Sequence, residues 1–300
     1  MMNSRINQKF QARVAMLRPR QWVKQLLILL PLISLGAQID FRFVNQAVFA
    51  LLSFTCVAAS IYIFNDLNDF ESDRLDEVKK QRSIASATVS KREAYLWLAC
   101  LFMVGFGITF LIGNSRPIQS MLLIYFVLNF CYSKFKLKNN AILGISIVAF
   151  GYPVRFLFGT FTFNLKVSYW AILLLSQLAL VMLCGKRFQT QKRSFLKLGN
   201  QVKDEHDFWL LSMVFLGAML GAGYIGFISD PVTQLLWGKN FLFLSCIPVG
   251  LGLIRYLEIV THPEKFKSED ATDLVSRDKT TLIILTIYLF TMFLGRSYAQ

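Results

Sequence analysis

The stretch VNQAVFALLSFTCVAASIYIFNDLNDFESDR, Val44 to Arg74, holds the features from which the fold is read. Its first part, Val44 to Phe64, carries no charge and is long enough to cross about 30 Å of hydrocarbon as a helix. The apolar run passes without a break into NDLNDFESDR, where Asp66, Asp69 and Asp73 are spaced by three and four residues. If the helix continues, the three carboxylates share one face, with Asn65 one turn from Asp69. A membrane-crossing helix would thus end in a stripe of like charges.

Outward from this stretch, eight further apolar runs follow one another at similar spacing. The nine are Trp22 to Ala37, Val44 to Phe64, Ala94 to Gly113, Ile118 to Tyr132, Ala141 to Thr162, Ser168 to Gly185, Phe208 to Ile228, Asn240 to Leu257 and Thr281 to Leu294. The first is short, which suits a re-entrant or interfacial segment as well as a crossing. Across 300 residues, 55% hydrophobic and only 17% charged side chains rule out an ordinary water-soluble domain and a disordered chain alike. We therefore expect an all-α polytopic membrane protein with about nine transmembrane helices in one bundle. No Pro/Ser/Gly-rich linker divides it, so residues 1–300 read as a single domain, preceded within residues 1–21 by a basic cytoplasmic segment.

Charge is distributed unevenly between alternate connections. If the N-terminus is cytoplasmic, all Lys and Arg fall on the inner side except Arg42, Arg116, Lys166, Lys239, Arg296 and the intramembrane Arg155. That distribution follows the positive-inside rule. All Asp and Glu except Asp40 and Asp230 fall on the same side, which the rule does not explain. The net charge of +14 lies in clusters between apolar runs, without a basic helix face or a finger spacing. Anionic lipid and phosphate-bearing substrates fit this pattern, and nucleic acid does not. The five cysteines are scattered and form no CxxC pair, and with His206 and His262 the only histidines, a zinc site of His and Cys is not expected.

Three carboxylates on one stripe repel each other, and a divalent cation relieves the repulsion. Hard oxygen ligands at the membrane surface suit Mg2+ held jointly with a substrate diphosphate by Asn65, Asp66, Asp69 and Asp73. Lys79, Lys80 and Arg82 follow downstream, and Lys186 and Arg187 close the sixth span on the same side. Basic groups of this kind hold an anionic substrate against the metal, so the substrate carries phosphate. Arg155 lies within a span, where a charge faces the bundle interior or a polar cavity.

These residues resemble the first aspartate-rich motif of the UbiA superfamily of intramembrane prenyltransferases: Asn65, Asp66, Asp69 and Asp73, then Arg74, Lys79 and RSIAS from Arg82 to Ser86. More narrowly, RPRQWVKQ (Arg18 to Gln25), YSKFKLK (Tyr132 to Lys138), Arg155, GKR (Gly185 to Arg187) and DATDLVSRDKTTL (Asp270 to Leu282) look like the decaprenyl-phosphate phosphoribosyltransferases. The likeness runs through nearly the whole chain. It departs at Asp76-Glu77, where the family commonly has His-Pro, at Ser83 for Pro, at Gly144, where this branch often has Asp, and at Gln189 to Gln191, which lack the expected Glu.

The resemblance implies Mg2+-dependent transfer of 5-phosphoribosyl from phosphoribosyl pyrophosphate to a polyprenyl phosphate. Asp66, Asp69, Asp73 and Lys186 would form the catalytic group. Arg18, Lys24, Lys80, Arg82, Lys136, Arg155 and Arg187 would contact phosphates, Tyr132 would line the cavity, and Asp270, Asp273 and Asp278 would form a cytoplasmic lid. The site would open to the cytoplasm from an inner membrane. A polyprenyl phosphate is already an ionised nucleophile, so the paucity of histidine is consistent with this chemistry. Two alternatives stay open: prenyl transfer from a polyprenyl diphosphate to an aromatic acceptor, and a non-catalytic lipid-phosphate transporter or binding protein.

Overall fold

A computed structural model describes residues 2–113, 115–198, 203–262 and 278–299. Asp270 and Asp273 lie outside the described residues. The helices are α1 (Met2–Met16), α2 (Phe41–Asn68), α3 (Phe70–Leu75), α4 (Lys91–Ile112), α5 (Ser115–Lys134), α6 (Ala141–Thr162), α7 (Tyr169–Leu198), α8 (Lys203–Ser229), α9 (Pro231–Trp237), α10 (Lys239–Thr261) and α11 (Lys279–Tyr298). A 3-10 segment spans Pro19–Gln38, and no strand occurs among the described residues. Hydrocarbon cannot satisfy a free amide or carbonyl, and a helix pairs both within the segment. Seven of these helices (α2, α4, α6, α7, α8, α10 and α11) are long and apolar enough to cross a membrane. The remaining two expected spans are the 3-10 segment and α5.

The chain divides into two compact units, Met1–Leu30 with Asp40–Val167, and Pro31–Ile39 with Ser168–Gln300. In the first unit, α2 packs against α4, α5 and α6. Its N-terminus is capped by Asp40, whose side chain accepts from the amides of Arg42 and Phe43. Phe54, Val57, Ala58 and Ile61 of α2 form a core with Ile28, Leu122, Tyr125, Val154 and Phe158. Ser53 Oγ donates to the Gly105 carbonyl at 2.7 Å, tying α2 to α4 across a close crossing.

The 3-10 segment explains how a short apolar run is accommodated. At about 2.0 Å rise per residue, Trp22 to Ala37 extends over roughly 32 Å, against about 24 Å for an α-helix. With three residues per turn, every third side chain eclipses. Gln25, Ile28 and Pro31 are accordingly its buried positions. Gly159 lets α6 lie against this segment, since a Cβ there would collide with the Ile28 carbonyl oxygen.

In the second unit, α7 packs on α8 and α10 on α11. Tyr224, Phe227, Leu242 and Met292 form its core, with Ile33 packed against them. Gly185 leaves room for the ring of Tyr256, whose hydroxyl donates to the Met182 carbonyl at 2.7 Å. Asp278 caps α11 by accepting from the Thr281 amide at 2.9 Å, and Arg255 clamps the same carboxylate through Nε and Nη2 at 3.0 and 2.7 Å. These donors hold the Asp278 carboxyl well below the usual carboxylate range, the Arg255 hydrogen bonds most of all.

Candidate active site

The acidic stripe is built where α2 ends. Asp69 is its C-cap, with φ −90° and ψ 2°, and α3 resumes directly after it. The Asp73 amide donates to the Asp69 carbonyl at 2.8 Å, so the turn is nearly continuous. The small break at Asp69 separates the three carboxylates into two groups. Asp66 and Asp73 stay together and are buried, at 6% and 3% exposure. Asp69 turns away and pairs with Lys138.

Arg82 is the hub of the buried pair. Its Nη1 lies 3.2 Å from Asp66 Oδ1 and 2.8 Å from Asp73 Oδ2, and Arg18 Nη2 donates to the same oxygen of Asp66. The RSIAS stretch fixes this position: Ile84 is buried, Ser83 Oγ donates to the Ala12 carbonyl at 2.7 Å, and the Ser86 amide donates to the Arg82 carbonyl at 2.9 Å. Arg18 follows α1 in a left-handed conformation, φ 51°, and its guanidinium sits 5.4 Å from the Tyr62 ring centroid. Thus Arg18, just past α1, and Arg82 of the α3–α4 connection converge on Asp66, and Ala12 of α1 ties to that connection through Ser83.

The α5–α6 connection supplies the rest. Ser133 donates to the Asn65 side-chain oxygen. Lys136 adopts φ 51°, which turns the chain into the short 3-10 stretch Leu137–Asn139 and brings Lys138, rather than Lys136, onto Asp69. Lys136 and Lys80 are exposed, and Tyr132 is half-buried. A Cβ at Gly144 would lie 3.4 Å from Lys138 Cα, so this departure from the family pattern falls beside the lysine that pairs with Asp69. Asp76, another departure, accepts from the amides of Lys79 and Val78 at 2.9 and 3.0 Å and forms the turn itself. These amides hold its carboxyl below the ordinary range.

Arg155 is not part of this cluster. Nε donates to Gln25 Oε1 at 2.8 Å, Nη1 to the Gly151 carbonyl at 2.6 Å and Nη2 to the Tyr125 hydroxyl at 2.8 Å. Its guanidinium also faces the rings of Phe54 and Tyr125. Phe54 precedes Asp66 by twelve residues of α2, a rise of about 18 Å, so Arg155 packs well along the helix from the carboxylates. It links the 3-10 segment to α5 and α6. In the second unit, Lys186 and Arg187 lie half-buried in the middle of α7. Both oxygens of Asp278 are taken by Arg255 and the start of α11.

Lys138, Ser133, Gln25 and Tyr125 were not singled out by sequence reasoning. Lys138 lay within the YSKFKLK motif, but the left-handed turn that selects it over Lys136 has no glycine to signal it.

No three His, Cys, Asp or Glu side chains converge as a ready metal-binding group among the described residues. The donor chemistry nonetheless fits a divalent cation. Asp66 and Asp73 present hard oxygens to one nitrogen of the Arg82 guanidinium, Nη1, which lies within hydrogen-bond distance of both.

Comparison with known proteins gives a consistent picture. The family model described as "UbiA prenyltransferase family" matches residues 26–276. The chain is 31% identical over 292 residues to the decaprenyl-phosphate phosphoribosyltransferase of Mycobacterium tuberculosis, covering 93% of this chain and 92% of that one. It is 28% identical to the protein of the same name from Mycolicibacterium smegmatis, over 80% and 79% of the two chains. A UbiA homologue from Archaeoglobus fulgidus, solved bound to DMAPP and Mg2+, superposes with a TM-score of 0.67 at 17% identity over 94% of this chain and 98% of that one.

Proposed function

Because this chain belongs to the UbiA prenyltransferase family, we propose that it transfers 5-phosphoribosyl from phosphoribosyl pyrophosphate to a polyprenyl phosphate, releasing diphosphate. The observation that carries this reading is the pair of buried carboxylates, Asp66 and Asp73, joined by Arg82 and Arg18 at the end of a membrane-crossing helix. Relatives covering nearly the whole chain bear the name of that activity. Asp66 and Asp73, with Asn65 and Asp69 beside them, would hold Mg2+. Bound there, the ion would neutralise charge developing on the departing diphosphate.

The chain's own residues do the rest. Arg18, Arg82 and Lys138 offer donors for the diphosphate oxygens, with charge and geometry suited to phosphate. Ser133 orients Asn65 by donating to its side-chain oxygen. Lys24, in the same unit as the carboxylates, is assigned to a further phosphate, and Lys186 and Arg187, half-buried in the second unit, are taken by themselves as phosphate-binding groups. The acceptor phosphate is ionised before it binds, so no residue has to remove a proton. Counting the 3-10 segment and α5, we assign nine crossings to one domain of residues 1–300, with the N-terminus and the site on the cytoplasmic face of an inner membrane.

The test is incubation of the purified protein with labelled phosphoribosyl pyrophosphate, Mg2+ and a polyprenyl phosphate. Label is expected in the lipid fraction. Unlabelled lipid, together with prenylation of an aromatic acceptor from polyprenyl diphosphate, would favour the prenyltransferase reading instead.

A further inference from the structure

We propose that Arg82 is an electrostatic gate on the metal site, competing with a divalent cation for Asp66 and Asp73 and yielding when the cation arrives with a diphosphate. This rests on the reading of the site given above. One nitrogen, Arg82 Nη1, contacts Asp66 Oδ1 at 3.2 Å and Asp73 Oδ2 at 2.8 Å, and both carboxylates are buried. A magnesium-sized ion needs the same oxygens at about 2.1 Å, so the nitrogen and the ion exclude each other.

Charge sets the order of events. Asp66, Asp69 and Asp73 are matched by Arg18, Arg82 and Lys138, so the cluster is balanced as it stands. A lone divalent cation would add two positive charges beside three existing ones in a partly buried region, where each close pair of like charges costs several kcal/mol at an effective dielectric of about 20. A diphosphate entering with it reverses the sign of the change and gives Arg18, Arg82 and Lys138 new oxygens to meet. Arg82 is able to swing, because its main chain is pinned through Ile84 and Ser86 while its side chain is one-third exposed, at 33%. Metal and diphosphate affinities are then coupled, and the coupling is reciprocal.

The test is binding of Mn2+ to the purified full-length chain, read from the electron paramagnetic resonance signal of the free ion, with and without inorganic pyrophosphate. In the wild type, pyrophosphate is expected to tighten Mn2+ binding by about tenfold or more beyond what Mn2+–pyrophosphate complexation in buffer gives. In Arg82→Gln, Mn2+ alone is expected to bind about tenfold tighter than to the wild type, shrinking the effect of pyrophosphate. A folded Arg82→Gln protein with unaltered Mn2+ affinity would overturn the proposal. So would a wild type that binds Mn2+ equally with and without pyrophosphate, a measurement that stands even if the variant fails to fold. Mn2+ binding that needs Asp66, as shown by its loss in Asp66→Asn, would keep the functional reading whatever Arg82→Gln does. No Mn2+ binding under any condition would overturn both.

Discussion

Asp66 and Asp73 are carboxylates that a membrane protein would bury only with partners, and each has them. Arg18 and Arg82 neutralise the pair, while Lys138 answers Asp69. The identity of that lysine is testable, because Lys136 is exposed and Lys138 is not. Lys138→Met is expected to raise the KM for the phosphoribosyl donor about tenfold, and Lys136→Met to leave it within about twofold, in steady-state transfer assays. Equal effects would place the wrong lysine at the site. The acidic stripe was legible in the sequence because three- and four-residue spacing carries a helical face by itself. The divergence of Asp69 was not legible, since it depends on cap geometry at one residue. Lys138 was hidden for a related reason, namely a left-handed backbone at Lys136 that its side chain does not favour.

At the scale of elements, the 3-10 segment Pro19–Gln38 is the feature the apolar run alone did not disclose. Run length fixes the span only once the rise per residue is known, and the tighter helix lengthens the reach of sixteen residues. Gly159 is required by the close approach of Ile28, whereas nothing approaches the Cβ position of Gly107 in α4. Gly159→Ala is therefore expected to destabilise the protein by about 1–3 kcal/mol, with Gly107→Ala neutral or slightly stabilising, as read from thermal unfolding in detergent. Asp278 offers a second test. Its carboxyl is held below its unfolded value of about 3.9, so the stability it contributes is complete above that pH and is lost as pH falls through the depressed folded value. The difference in thermal midpoint between wild type and Asp278→Asn is expected to be largest near neutral pH and to shrink below about pH 3. A difference that grows on acidification would contradict the assigned pairing with Arg255.

For the whole molecule, the one-sided distribution of charge gives an orientation that the helices alone do not. Lys166→Cys is expected to react with a membrane-impermeant thiol reagent in intact cells, and Glu77→Cys only after permeabilisation; the reverse would invert the topology. The helical membrane class was legible from composition and from apolar runs, because hydrocarbon leaves a chain few alternatives. The division into two compact units was not, because the second unit joins Pro31–Ile39 to Ser168–Gln300, far apart in sequence. The proposed function rests on the carboxylates of α2 and α3 acting on a diphosphate. The most direct measurement is the rate at which label passes from phosphoribosyl pyrophosphate to polyprenyl phosphate in the wild type, with Mg2+ or with a chelator, and in Asp66→Asn and Asp73→Asn. Transfer is expected to require the metal and to fall at least about a hundredfold in either variant, measured on protein that elutes as a single folded species in detergent. Undiminished transfer in a folded Asp66→Asn protein would contradict the account.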